Sequence, residues 1–212
     1  MSSFSLIETM RWEPAVGIVR LRLHLARLKR SAARLGFPGA GQAEQRLAAA
    51  FVDTSPLSAL RVRLALDSTG RIDIATTPFT PLPADPLWTV RIATTRLSSG
   101  DNLLRYKTSR RAVYEAARAE YGPDEADEVL LLNERDEPCE GTITSLFVDD
   151  GSGMLKTQPI SCGLLAGVLR TEMICQRKAR VQRLTLDDLK SRPVFIGNSL
   201  RGLIRANILW RD

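Results

Sequence analysis

Apolar residues change period several times along this chain, and each change predicts an element. Residues 4–10 (FSLIETM) and 17–23 (GIVRLRL) alternate as strands do, with a turn at Glu13-Pro14 between them. Leu25, Leu28, Ala32 and Leu35 then share one helical face, and this helix should stop at Gly36, with Pro38 just beyond. A second helix is predicted over roughly 41–52. Leu60 to Leu66 alternates around Arg61 and Arg63, Asp67–Gly70 is a turn, and Arg71 to Thr77 returns beside it as a hairpin.

Residues 78–86 (PFTPLPADP) hold four prolines, which is too many for regular structure, so this stretch reads as a linker. It divides the chain into a small N-terminal α/β domain, 1–86, and a larger C-terminal domain, 87–212. The second half should begin with a strand over 88–94 and a polar loop over 98–106. Thr108 or Ser109 then caps a helix reaching about Tyr121, with Val113, Ala116 and Ala117 facing inward. Strands follow at 128–132 and 143–148 around a turn near Asp136. Residues 163–177 are loop then helix, and Thr185–Asp188 is a capping box that opens a short helix. The last strands are 193–197 and 203–209. The sum is a mixed α/β chain in two parts, without internal repeats.

Composition narrows the chemistry. Hydrophobic residues at 44% and charged residues at 25% fit a soluble globular protein. No apolar run reaches the roughly 18 residues of a membrane span, and residues 1–10 lack a basic region of signal-peptide type. Three cysteines without a C-x-x-C pair argue against a disulfide framework or zinc site and fit a reducing cytoplasm. The single histidine, His24, excludes a multi-histidine metal site, and among Leu23, Leu25 and Leu28 it reads as structural. No metal is expected. The net charge of +6 suits either an arginine-rich surface or a site for a small anionic substrate. No nucleic-acid motif accompanies it.

Of 30 basic residues only five are lysine. Lys29, Lys156, Lys178 and Lys190 all have solvent-exposed readings. Lys107 sits where a loop meets a helix. On composition alone this is a hint, and an exposed lysine at a helix start stays open beside a catalytic one.

Five blocks, in order, carry a resemblance. They are FSLIETMRW with HLARLKRSAARLGF, then LLRYKTSRRAVYEAAR, DEVLLLNERDEPCEGTITSLFV, PISCGLLAGVLRTEMI and IGNSLRGLIRA. Together they resemble the class IV aminotransferases and aminodeoxychorismate lyases. YKTSRRAVYEAAR, CGLLAGVLR and NSLRG look most like the lyase domains fused to aminodeoxychorismate synthase components. The resemblance implies a two-domain fold-type IV enzyme of the D-amino acid aminotransferase kind, with pyridoxal 5′-phosphate as cofactor. It implies Lys107 as the Schiff-base lysine, an amine able to lose its proton as arginine cannot. It puts Glu140 against the pyridine nitrogen, where a carboxylate holds the ring as an electron sink. Gly167, Val168 and Leu169 would bind phosphate at a helix start, helped by Arg27, Asn198 and Ser199. Leu169 departs from the threonine frequent in the family.

Substrate contacts are expected from Arg61 and Arg63, which share a strand face, and from Tyr106 and Thr9. The arginines could equally face water. The family's extra N-terminal strand precedes its first block, whereas this chain begins almost at FSLIETM, which implies a trimmed small domain and an altered site mouth. The resemblance further implies a cytoplasmic homodimer. Its lead activity is 4-amino-4-deoxychorismate lyase. The alternative is an aminotransferase for branched-chain or D-amino acids. A cofactor-binding protein without turnover and a basic nucleic-acid-binding module are more distant readings.

Overall fold

The computed structural model describes residues 4–51 and 58–210. Contacts group them into two units, residues up to Leu82 with Tyr106–Arg110, and Pro83–Arg105 with those from Arg111 on. The lysine segment therefore belongs to the first unit.

In that unit β1 (Leu6–Glu13), β2 (Gly17–Ile18), β3 (Leu60–Leu66) and β4 (Ile72–Pro78) form an antiparallel sheet in the order β2-β1-β3-β4. The helices α1 (Leu21–Leu35) and α2 (Ala43–Ala49) complete it. Leu6 and Met10 of β1, with Val62, Leu64 and Leu66 of β3, pack with Leu25, Leu28 and Ala32 of α1 in one core. Gly36 ends α1 in the left-handed region, with φ 73°, and its N–H bonds Ala32 O. That backbone suits glycine because it has no Cβ to clash.

The strand predicted over 17–23 is only two residues long, because Leu21 already begins α1. The LRLHL wording alternates, yet Leu21, Leu25 and Leu28 are also spaced by four and three, and the helical reading buries more of them. The second helix starts at Ala43, after a 3-10 turn over Ala40–Gln42. Its predicted end at 52 lies outside the described residues. The 106–110 segment runs along β1. Lys107 O accepts from Ile7 N at 2.9 Å, Ser109 N donates to Ser5 O at 2.9 Å, and Leu6 bridges Thr108 antiparallel.

The second unit holds β5 (Leu87–Leu97), α3 (Ala112–Arg118), β6 (Glu128–Asn133), β7 (Pro138–Gly141) and β8 (Ser145–Val148). It continues through β9 (Leu155–Thr157), α4 (Val168–Cys175), β10 (Ala179–Val181), α5 (Leu186–Ser191), β11 (Val194–Asn198) and β12 (Gly202–Leu209). Its sheet runs β10-β9-β8-β11-β12-β5-β6-β7, and a further β7–β8 pairing closes six of these strands into a ring. β6 and β8 are buried at every position, which explains the apolar runs Val129–Leu132 and Leu146–Val148.

Three predictions for this unit need correcting. The helix after Lys107 starts at Ala112, not at Thr108 or Ser109, whose backbone is committed to β1. Ala117 faces inward as expected and Val113 is half-buried, but Ala116 is exposed and Tyr114 is buried instead. The strand predicted over 143–148 starts only at Ser145, and Glu140 lies in a separate strand, β7, that ends at Gly141. The break is made by the buried Glu128 carboxylate, which accepts from Thr142 N and Ile143 N and from the hydroxyls of Thr142 and Thr144. Lys156, expected in solvent, is wholly buried, its Nζ 3.0 Å from Asp150 Oδ1 and bonded to Ser152 Oγ and Met154 O. The capping box of α5 forms as the sequence predicts.

Candidate active site

Period-two alternation puts Glu8 on the same face of β1 as Leu6 and Met10, and its carboxylate is buried. Burial alone disfavours a charge, so it must be paired. Arg27 of α1 meets it with a planar fork, Nε to Oε1 at 2.8 Å and Nη2 to Oε2 at 2.5 Å. His24 Nδ1 lies 2.6 Å from Oε2. Burial works to raise the Glu8 pKa, but the Arg27 guanidinium and the His24 hydrogen bond outweigh it and hold the pKa at about 2. Burial of His24 lowers its pKa, and the charges of Arg27 and Lys107 add to the lowering despite the Glu8 carboxylate. A neutral imidazole facing an acceptor-only carboxylate donates from Nδ1.

This triad predicts an acid-sensitive fold. Glu8's pKa is depressed on folding, so its contribution is complete above its ordinary value of 4.5 and is lost as pH falls toward about 2. The depression corresponds to about 3 kcal/mol. Glu8→Gln strands a buried guanidinium and is expected to cost about 3–5 kcal/mol at pH 7. It should also flatten the pH dependence of stability below 4.5. Urea unfolding of both proteins from about pH 6 down to about pH 2.5 checks this, and equal pH slopes for both would refute it.

Lys107 is half-buried, on backbone bonded to Ile7. Thr9 pairs with Arg63, and Arg11 with Arg61, across β1 and β3. These side chains therefore share the sheet face opposite Glu8 and α1. Arg63 is half-buried and Arg61 exposed. Tyr106, also half-buried, precedes Lys107. The first unit thus carries Lys107 and Tyr106, with Thr9, Arg61 and Arg63 on the sheet face opposite the one Arg27 packs on.

The second unit holds the other candidates. Glu140, in the middle of β7, pairs with Leu131 of β6 and Ser145 of β8 and is buried. Its Oε1 accepts from Tyr114 Oη at 2.7 Å and from Leu165 N at 3.1 Å. Burial, then the Glu140 charge, pushes the Tyr114 phenol far above its ordinary range, so it stays a donor. The neighbouring thiols of Cys139 and Cys162 are also pushed up by burial, which keeps them protonated and unreactive.

Gly167 is the N-cap of α4, and the helix opens with the bond that Thr171 N donates to Gly167 O at 2.9 Å. The amides of Val168, Leu169 and Arg170 precede it, and such amides at a helix start face an anion well. A Cβ on Gly167 would lie 2.5 Å from Ser145 Oγ, so any larger residue there must displace that hydroxyl. The Leu169 side chain packs with Phe147, Met173 and Ala179 in a hydrophobic cluster. Asn198 spends its amide on a turn, donating to Ile143 O and accepting from Leu200 N and Arg201 N. Ser199 beside it is buried.

Within the second unit, a buried carboxylate fixed by donors and a glycine-started helix suit the ring nitrogen and the phosphate of a pyridine cofactor. Residues 5–208 match the amino-transferase class IV family. The chain belongs to that family. Its members are enzymes that depend on pyridoxal phosphate.

Solved structures agree. A candidate amino-acid aminotransferase from Mesorhizobium loti is 50% identical, with 97% of this chain and 100% of that one covered and a TM-score of 0.91. A 4-amino-4-deoxychorismate lyase from Pseudomonas aeruginosa is 21% identical, covering 97% and 83%, with a TM-score of 0.81. A branched-chain aminotransferase from Escherichia coli is 18% identical, covering 96% and 77%, with a TM-score of 0.80. The last two speak for the fold alone, that of fold-type IV enzymes. No curated protein matches the sequence. Among the described residues no helix is long and apolar enough to cross a membrane.

Sequence reasoning passed over Glu8, Glu128 and Tyr114. For Glu8 the signal was available, a carboxylate at an inward position of an alternating strand. Glu128 likewise opens a strand that is apolar to Leu132. Tyr114 gave none, because only its packing against Glu140 and Arg111 of the folded unit sets it apart.

Proposed function

We propose that this chain is a 4-amino-4-deoxychorismate lyase, releasing pyruvate and leaving 4-aminobenzoate. The observation that carries the cofactor assignment is the buried Glu140 carboxylate, which accepts from both the Tyr114 hydroxyl and the Leu165 amide. The lyase reading rests on the wording of YKTSRRAVYEAAR, CGLLAGVLR and NSLRG. Lys107 would attach the cofactor's aldehyde, Glu140 would face its ring nitrogen, and the amides of Gly167–Leu169 would take its phosphate, with Arg27, Asn198 and Ser199. Bound there, pyridoxal phosphate supplies an electron-poor ring that accepts the electron pair left on the substrate carbon.

This chain's residues do the rest. The Lys107 amine takes the proton from the substrate carbon bearing nitrogen. Arg61, Arg63, Thr9 and Tyr106 would hold and orient the substrate, the arginines through its carboxylates. The active form would be a cytoplasmic homodimer. The second reading, an amino-acid aminotransferase, is favoured by the 50% identity to the Mesorhizobium loti protein.

The two readings separate in one assay. The purified protein loaded with pyridoxal phosphate is expected to form 4-aminobenzoate and pyruvate from aminodeoxychorismate with no keto acid added. Inertness toward that substrate, together with amino transfer to 2-oxoglutarate, would replace the lyase by the aminotransferase.

A further inference from the structure

We infer that Tyr114 is a positioning residue, whose hydroxyl acts with the Leu165 amide to hold the Glu140 carboxylate in one orientation and in its acceptor form. The inference rests on the assignment of Glu140 to the cofactor ring and goes beyond it, because Tyr114 touches neither cofactor nor substrate in that scheme.

The geometry is specific. Tyr114 lies in the first turn of α3, its ring buried and its Oη 2.7 Å from Glu140 Oε1. The Leu165 amide reaches the same oxygen at 3.1 Å from the loop before α4. An amide N–H can only donate, and a buried phenol beside a carboxylate keeps its proton. Two donors converging on one oxygen favour the ionised form of the acid and fix its plane. Arg111 supports the tyrosine. Its guanidinium lies over the Tyr114 ring, 4.7 Å from the centroid, and donates to Thr142 O just past the end of β7. The buried Arg170 guanidinium adds attraction for the Glu140 charge. One helix, one loop and one strand thus hold a single carboxylate in place. A carboxylate that must face a protonated ring nitrogen needs that orientation and that charge state.

Tyr114→Phe removes one donor and little volume. In the cofactor-free protein, hydrogen exchange of the Leu165 amide should quicken about tenfold or more, because its acceptor loosens. The dissociation constant for pyridoxal phosphate should rise about tenfold, as when a hydrogen bond to a charged group is lost. In a Glu140→Gln background the same substitution should change that constant less than twofold. A purely structural tyrosine would lower the melting temperature and leave both readouts unmoved, and that result overturns the inference. If Leu165 exchange quickens but Glu140→Gln binds pyridoxal phosphate as the wild type does, the role of Tyr114 stands and the assignment of Glu140 to the ring falls. Should Tyr114→Phe not fold, proton NMR of the wild type decides. The Tyr114 hydroxyl is expected as a slowly exchanging downfield resonance that moves when pyridoxal phosphate is added. A resonance indifferent to the cofactor would sink the inference.

Discussion

Lys107→Ala is expected to yield a folded protein that has lost the visible absorbance of bound pyridoxal phosphate. Its turnover should fall by at least about 10²–10⁴-fold, the share a positioned general base supplies. Folding should survive because the structural ties of this segment are made by backbone. Lys107 O accepts from Ile7 N, and Leu6 bridges Thr108. Lys107→Arg should fail as badly. It keeps the charge, but a guanidinium neither gives up its proton at working pH nor condenses as an amine does. Absorbance spectra and thermal melts of the three proteins decide this. A visible band retained in Lys107→Ala would end the assignment.

Glu140→Gln carries the second large effect. The amide oxygen of glutamine still accepts from Tyr114 Oη and Leu165 N, so the buried site keeps its hydrogen bonds and the fold its stability. The charge is gone, and a neutral amide cannot balance a protonated ring nitrogen. The expected result is a fall in kcat on the order of 10²–10³-fold, comparable to the removal of one preorganised group at a reacting centre. The change in KM should be much smaller, since substrate carboxylates are assigned to other residues. Steady-state kinetics at saturating pyridoxal phosphate check this, and a kcat within threefold of wild type would remove Glu140 from the chemistry.

Much of the fold was legible because local and tertiary demands agree. The β3–β4 hairpin, the stop of α1 at Gly36 and the capping box of α5 each follow from a few neighbouring residues. The misreadings come where tertiary partners decide. Leu21–Leu25 fits two periods, and packing against β1 selects the helix. Thr108 looked like a helix cap, but its backbone pairs with Leu6, about a hundred residues back along the chain, which no local pattern reveals. β9 and β10 went unseen because each is three residues long and depends on partner strands elsewhere in the chain, β9 on β8 and β10 on β9.

The candidate site shows the same division. Lys107 and Glu140 stand out through the resemblance of their segments, not through period or charge. What holds them in place is long-range, with Ile7 fixing the lysine's backbone and Tyr114 the glutamate's carboxylate. Arg27 was singled out for an anion, and the structure adds the Glu8 carboxylate that orients its fork. Lys156 shows how burial misleads a surface reading. Its ammonium is satisfied inside by Asp150, Ser152 and Met154, all within six residues of it.

The most direct measurement is borohydride reduction of the protein loaded with pyridoxal phosphate, followed by proteolysis and mass spectrometry. The expected result is a pyridoxyl group on the peptide containing Lys107 and on no other lysine. A pyridoxyl group on Lys29, Lys156, Lys178 or Lys190 in place of Lys107, or none at all after full loading, would contradict it.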